Sequence, residues 1–284
     1  MPRVTKHDLI KDAKLLSQLL EEDLPPREDL ISGTLVDKVL PIYKNSITLI
    51  CAKPKSGKSL FISHLAVNMA KQGHAVLYIS LENGSRVDKD RFTYACDLYK
   101  LTDKQKENLV YIPFDDGINS PSLGFNAILE FISKPECTFD IIFIDALERV
   151  ISKGSSGSEI SANGYNVLNQ LQTAIRNSES TPALVATWQF SKSGFDKTID
   201  TIDMDALGGS IAAVQIAESL WVLKKNPKNP KDWKAKLLAS RELSADDTII
   251  DIYYNKGMNI ALEKNLDELL NDTDLNKMDM GEET

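Results

Sequence analysis

The sequence is short of the residues that staple small folds or clamp metals. Its three cysteines, Cys51, Cys96 and Cys137, are an odd number without C-x-x-C spacing, so a disulfide framework is not expected and the thiols read as reduced and buried. The three histidines, His7, His64 and His74, are scattered and make no zinc pattern. No stretch approaches the roughly 20 apolar residues of a membrane span. The opening MPRVTKHDLI lacks the apolar segment of a secretory signal. A cytoplasmic protein without membrane partners is the expectation. Positive charge is also in deficit: the net charge of -8 excludes a generally basic coat for nucleic acid, while leaving room for a local basic channel. What remains is an ordinary globular composition, 42% apolar and 26% charged, enough for a sizeable core.

Residues 5–22 carry Leu9, Ile10, Ala13, Leu16, Leu19 and Leu20 at helical spacing, and Pro25 and Pro26 end the pattern. This amphipathic helix needs a surface for its apolar stripe, on its own domain or on a neighbouring subunit. From about residue 46 apolar strands alternate with helical patterns. Ser46–Ala52, Ala75–Leu81, Leu109–Phe114, Phe139–Ala146, Ala183–Gln189 and 219–224 read as strands. Segments 58–72, 86–100 and 122–133, and one running to about 177 after a Gly/Ser-rich loop at 151–164, read as helices. Residues 190–207 read as loop. Lys234–Arg241 and Thr248–Tyr254 read as a hairpin turned by Ala245-Asp246-Asp247. The alternation implies an α/β fold, a mostly parallel sheet flanked by helices, with a C-terminal β-hairpin. Residues 265–284 are acidic and read as a disordered tail. The division expected is 1–33 for the helix and linker, 34–262 for the α/β domain and 263–284 for the tail.

Ala52-Lys53-Pro54-Lys55-Ser56-Gly57-Lys58-Ser59 follows a strand and opens a helix, the setting a phosphate-binding P-loop requires. Backbone N–H groups of such a loop converge on phosphate oxygens. Gly57 has no Cβ and so allows close approach, Lys58 brings an ammonium to the β- and γ-phosphates, and the Ser59 hydroxyl suits Mg²⁺. Ala52 stands where the pattern has its first glycine. Asp145 ends the strand FDIIFIDA, where a carboxylate can hold the Mg²⁺ shell. Glu82 ends LYISLE and can orient the attacking water as general base; Glu148, three residues after Asp145, competes for that role. Gln189 ends ATWQ and can sense the γ-phosphate. ATP and Mg²⁺ are the ligands these residues imply.

In order and character these stretches resemble the RecA-like P-loop ATPases, above all the DnaB-type and plasmid RepA-like hexameric replicative helicases. The stretches are AKPKSGKSLFISHLA, VLYISLEN, DIIFIDALERV, LVATWQF, ALGGSIAAVQIAESLWVLKK and LLASREL, over about 45–256. The resemblance implies Glu82 as the catalytic carboxylate, Gln189 as the sensor, and Arg241 as an arginine finger acting on a neighbour's ATP, although Ala239 replaces the family's lysine. It also implies a homo-oligomeric ring, a hexamer rather than a filament, translocating on single-stranded DNA. The implied DNA loops are 151–164 and 190–210, with Lys153, Lys192, Lys197, Gly208 and Gly209 as contacts. A bacterial, plasmid or phage setting would follow, with replication proteins as partners of the acidic tail. GGSIAA resembles the RadA-type recombinases as well, so a recombination or annealing ATPase stays open, as does an ATP-binding switch without DNA activity.

Overall fold

The computed structural model describes residue 30 and residues 42–113, 121–150, 157–189, 197–203, 215–225, 232–241, 249–254 and 260–262. The amphipathic segment 5–22, the acidic tail and most of the expected DNA loops lie outside these residues. The order is β1 (Ile47–Ala52), α1 (Lys58–Lys71), β2 (Val76–Ser80), α2 (Ser85–Leu98), the single turn α3 (Asp103–Lys106) and β3 (Leu109–Ile112). Then come α4 (Pro121–Ile132), β4 (Ile141–Asp145), a 3-10 turn (Leu147–Arg149), α5 (Gly157–Asn177) and β5 (Ala183–Gln189). Strands β6 (Ser219–Lys225), β7 (Asp232–Ser240), β8 (Ile249–Tyr254) and β9 (Ile260–Leu262) complete it.

The strands form one sheet in the order β3-β2-β4-β5-β1-β6-β7-β8-β9. The pairings from β3 to β6 are parallel, and those from β6 to β9 antiparallel. Strand β1 lies between β5 and β6, and all six of its residues are buried. That is why ITLICA reads as an unbroken apolar run rather than an alternating one. Side chains alternate between two cores. On one face Leu49, Cys51, Ile142, Ile144 and Leu184 pack with Phe125 of α4 and Leu168, Leu171 and Ile175 of α5. On the other, Ile50, Ala52, Tyr78, Phe143 and Val185 pack with Phe61, Ile62, Leu65 and Met69 of α1 and with Trp221 and Trp233.

Most expected elements appear within a few residues of their expected ends. One expectation is corrected: within the loop read at 151–164, residues from Gly157 onward are helical. Burial of Leu168, Leu171 and Ile175 anchors α5, and each residue added to an existing helix gains a backbone hydrogen bond, which outweighs the Gly/Ser composition. The sequence reading also lacks β9 and α3, both very short. Cys51 and Cys137 are buried and Cys96 is partly buried, all three as free thiols.

Candidate nucleotide site

The C-terminal ends of β1, β2, β4 and β5 bring the expected residues to one edge of the sheet. Register places Ala52 beside Gln189, and Ser80, two residues before Glu82, beside Asp145. Between β1 and α1 the chain turns tightly: Lys55 has φ 60, Gly57 has φ 82, and the Ser56 N–H donates to the Lys53 carbonyl at 3.3 Å. Lys53, Pro54 and Lys55 are exposed, Ser56 and Lys58 buried. The Lys58 ammonium donates to the carbonyls of Ala52 at 3.2 Å and Lys53 at 3.4 Å, so the loop's own backbone holds it at the mouth of the loop.

Gly57 departs from the simplest expectation. A Cβ on it would overlap Cη2 of Trp233 and lie 3.0 Å from Cζ2 and Cζ3, so the room left by the missing side chain is filled by an indole of β7. The Lys225 ammonium lies over the same ring, 5.9 Å from its centre.

Asp145 is fully buried and richly hydrogen-bonded. Its Oδ1 accepts from Thr187 Oγ1 at 2.7 Å, and its Oδ2 accepts from the Tyr78 hydroxyl and from Asn83 Nδ2, both at 3.2 Å. Ser59 hydrogen-bonds the same carboxylate. Burial pushes this carboxyl above its ordinary range, while the bonds from Thr187, Ser59 and Tyr78 and the Arg91 charge pull it back. The P-loop hydroxyl and the strand-end carboxylate therefore stand in direct contact, the oxygen pair that a hard cation such as Mg²⁺ takes. With the Lys58 ammonium beside them, the donor set fits a magnesium–triphosphate.

The two competing glutamates occupy different settings. Glu82 is half-buried and paired with Arg149 Nη2 at 3.2 Å. Glu148 has both carboxyl oxygens sealed from solvent and no hydrogen-bond partner. Burial raises it to about 7, and the Glu82 and Asp145 charges add to that, against the Lys58 charge and a backbone hydrogen bond.

Arg241 sits at the far edge of the sheet. It follows the end of β7, where Ser240 pairs with Ser219 at the start of β6. Its guanidinium donates to the Gln215 carbonyl and lies 3.9 Å from the Glu218 carboxylate. Buried Glu218 in turn accepts from the Ile47 N–H at 2.9 Å. The length of β1, about 17 Å at roughly 3.3 Å per residue, separates Arg241 from its own P-loop.

Of the expected DNA contacts, Lys153, Lys192, Gly208 and Gly209 lie outside the described residues. Lys197 is described, and its ammonium is engaged by both oxygens of Asp203, at 2.6 and 2.7 Å, so the charge read as free for phosphates is paired. The sequence reading passes over Thr187, Tyr78, Asn83, Trp233 and Glu218. Asn83 and Thr187 lie one and two residues from Glu82 and Gln189, and polar residues at buried strand ends are a usable signal. Nothing local marks Trp233.

A sheet with this strand order, a P-loop after its central strand and a buried aspartate two strands away define a RecA-like P-loop ATPase core. Residues 9–186 match the AAA domain family AAA_25, and the chain belongs to that family. No curated protein sequence matches it. Among solved structures the fold is similar to an isolated ATPase domain, with TM-score 0.62 and 18% identity over 86% of this chain and 95% of that one. It is also similar to a DnaB-like replicative helicase studied with primase, with TM-score 0.58 and 17% identity. That match covers 77% of this chain and 57% of the helicase. No helix among the described residues is long and apolar enough to cross a membrane.

Proposed function

We propose that this chain is the motor of a compact ring-shaped DNA helicase, hydrolysing ATP at interfaces between subunits and moving along single-stranded DNA. One observation carries the reading: the nucleotide-site residues gather at one edge of the sheet while Arg241 sits at the opposite edge. An arginine there cannot serve its own P-loop but suits a neighbour's, and an arginine donated in trans stabilises the charge of phosphoryl transfer. The likeness of the fold to the solved ATPase domain and to the DnaB-like helicase supports it.

In this reading Ala52 to Ser59 cradle the triphosphate, with Lys58 leaving the loop carbonyls for phosphate oxygens. Ser59 and Asp145 hold Mg²⁺, which supplies Lewis-acid stabilisation of the transferring phosphoryl group. Glu82 accepts the proton of the attacking water after parting from Arg149, and Gln189 senses the γ-phosphate from beside Ala52. Residues 1–33 form a docking helix and linker, 34–262 the motor, and 263–284 an acidic tail for replication proteins. The loops at 151–164 and 190–210 meet DNA through Lys153, Lys192, Lys197, Gly208 and Gly209, with Lys197 first leaving Asp203.

Unwinding of a forked duplex with ATP and Mg²⁺ tests the helicase assignment. A protein that anneals or exchanges strands without separating them would be a recombination ATPase, and one without salt-dependent affinity for single strands would be a switch. The shared site is tested by mixing Arg241→Ala with Glu82→Ala protein. Each alone should be inactive, and the mixture should recover part of the turnover. An inactive mixture of assembled rings overturns the trans arrangement.

A further inference from the structure

Among the site's carboxylates only Glu148 has its hydrogen-bonding capacity unspent. Asp145 already accepts from Thr187, Tyr78, Asn83 and Ser59. Glu82 is held by Arg149. Glu148 opens the way from β4 to α5 in the turn Leu147–Arg149, and both its oxygens are sealed without a donor. The charges acting on it are those of Lys58, Glu82 and Asp145, the residues of the nucleotide site. A buried carboxyl without donors destabilises a fold, and such groups persist where a ligand supplies the missing partners. A strut or packing role would be better served by an apolar side chain or an amide.

We infer that Glu148 is a second carboxylate of the nucleotide site, a positioning residue that accepts hydrogen bonds from magnesium-bound water when the magnesium–triphosphate is in place. The inference rests on the nucleotide-site reading. Magnesium suits it chemically, because this ion keeps several of its waters and takes only one or two protein carboxylates directly. Asp145, with Ser59, faces the ion; Glu148, with its free lone pairs, faces the hydrated side. Groups that orient a metal's shell in this manner change metal affinity by about 10- to 100-fold when removed.

The test is calorimetric titration of wild type, Glu148→Gln and Glu148→Asp with ADP and a non-hydrolysable ATP analogue, in Mg²⁺ and in EDTA, beside melting curves of the free proteins. Free Glu148→Gln should melt at or above the wild-type temperature. Its affinity in EDTA should stay within about twofold of wild type, while the gain in affinity on adding Mg²⁺ falls at least about tenfold. Glu148→Asp should retain more of that gain than Glu148→Gln. A magnesium gain preserved in Glu148→Gln would sink the inference and leave the nucleotide site standing. A lower melting temperature with matching loss of affinity in EDTA would show a structural group instead. No magnesium-dependent affinity in wild type would overturn the site and this inference together.

Discussion

A β-carbon built on Gly57 would run into the indole of Trp233, so the turn of the P-loop and the strand β7 are locked by a ring that leaves no room for a side chain. This contact ties the loop that opens α1 to an element more than 170 residues later in the chain. The P-loop is thus held from outside its own motif.

Gly57→Ala should therefore destabilise the protein by about 2 kcal/mol or more, since the left-handed φ of 82 adds a backbone penalty to the clash. Urea unfolding measures it. In a Trp233→Ala background only the backbone part, about 1–2 kcal/mol, should remain. Equal costs in both backgrounds would mean that the ring does not constrain the loop.

Thr187→Val removes the shortest hydrogen bond to the Asp145 carboxylate and keeps the side-chain shape. A buried carboxylate that loses one donor should cost about 1–3 kcal/mol of stability. Magnesium-dependent nucleotide affinity should fall as well, because the carboxylate loses its orientation. Unchanged stability would show that Tyr78, Asn83 and Ser59 suffice to hold Asp145.

Two buried groups give the stability opposite pH slopes. His64 is fully buried, its Nδ1 lies 3.0 Å from the Tyr99 hydroxyl, and burial lowers it from 6.5 to about 4. The folded state keeps this ring neutral, so its contribution is complete above pH 6.5 and is lost as pH falls through about 4. Glu148 runs the other way: raised from 4.5 to about 7, it favours the folded state most below pH 4.5 and withdraws that support as pH rises through 7. Each slope amounts to at most about 3 kcal/mol. Urea unfolding of the free protein between pH 4 and 8 should show His64→Gln flattening the acid side and Glu148→Gln the neutral side. A variant that leaves its side unchanged would refute the assignment of that group.

Much of this fold is legible in the chain because its strands are buried on both faces and its helices on one. The runs SITLICA, AVLYISL and ALVATWQ, separated by helical periodicity, lead directly to β1, β2 and β5. The edge elements carry weaker signals. Strand β3 alternates in burial, and β9 and α3 are too short to show a period. The start of α5 reads as loop because glycine and serine argue locally for one, while helix propagation from a buried half argues otherwise. At the site, Lys58, Ser59 and Asp145 can be named from residue type and position relative to a strand. Thr187, Tyr78 and Glu218 cannot, since their roles exist only where strands distant in sequence lie side by side.

By itself the sequence determined the chemistry available at each strand end: a flexible loop with a lysine and a hydroxyl after one strand, carboxylates after two others, an amide after a fourth. These follow from local residue types and from hydrophobic periodicity, which act over a few residues. Only the tertiary structure decided which of these groups are already engaged. It paired Glu82 with Arg149 and Lys197 with Asp203, surrounded Asp145 with donors, and left Glu148 sealed without a partner. It also placed Trp233 against Gly57 and Arg241 a strand's length from its own P-loop. Such outcomes depend on strand order and on competition for donors across the sheet, which no local pattern encodes.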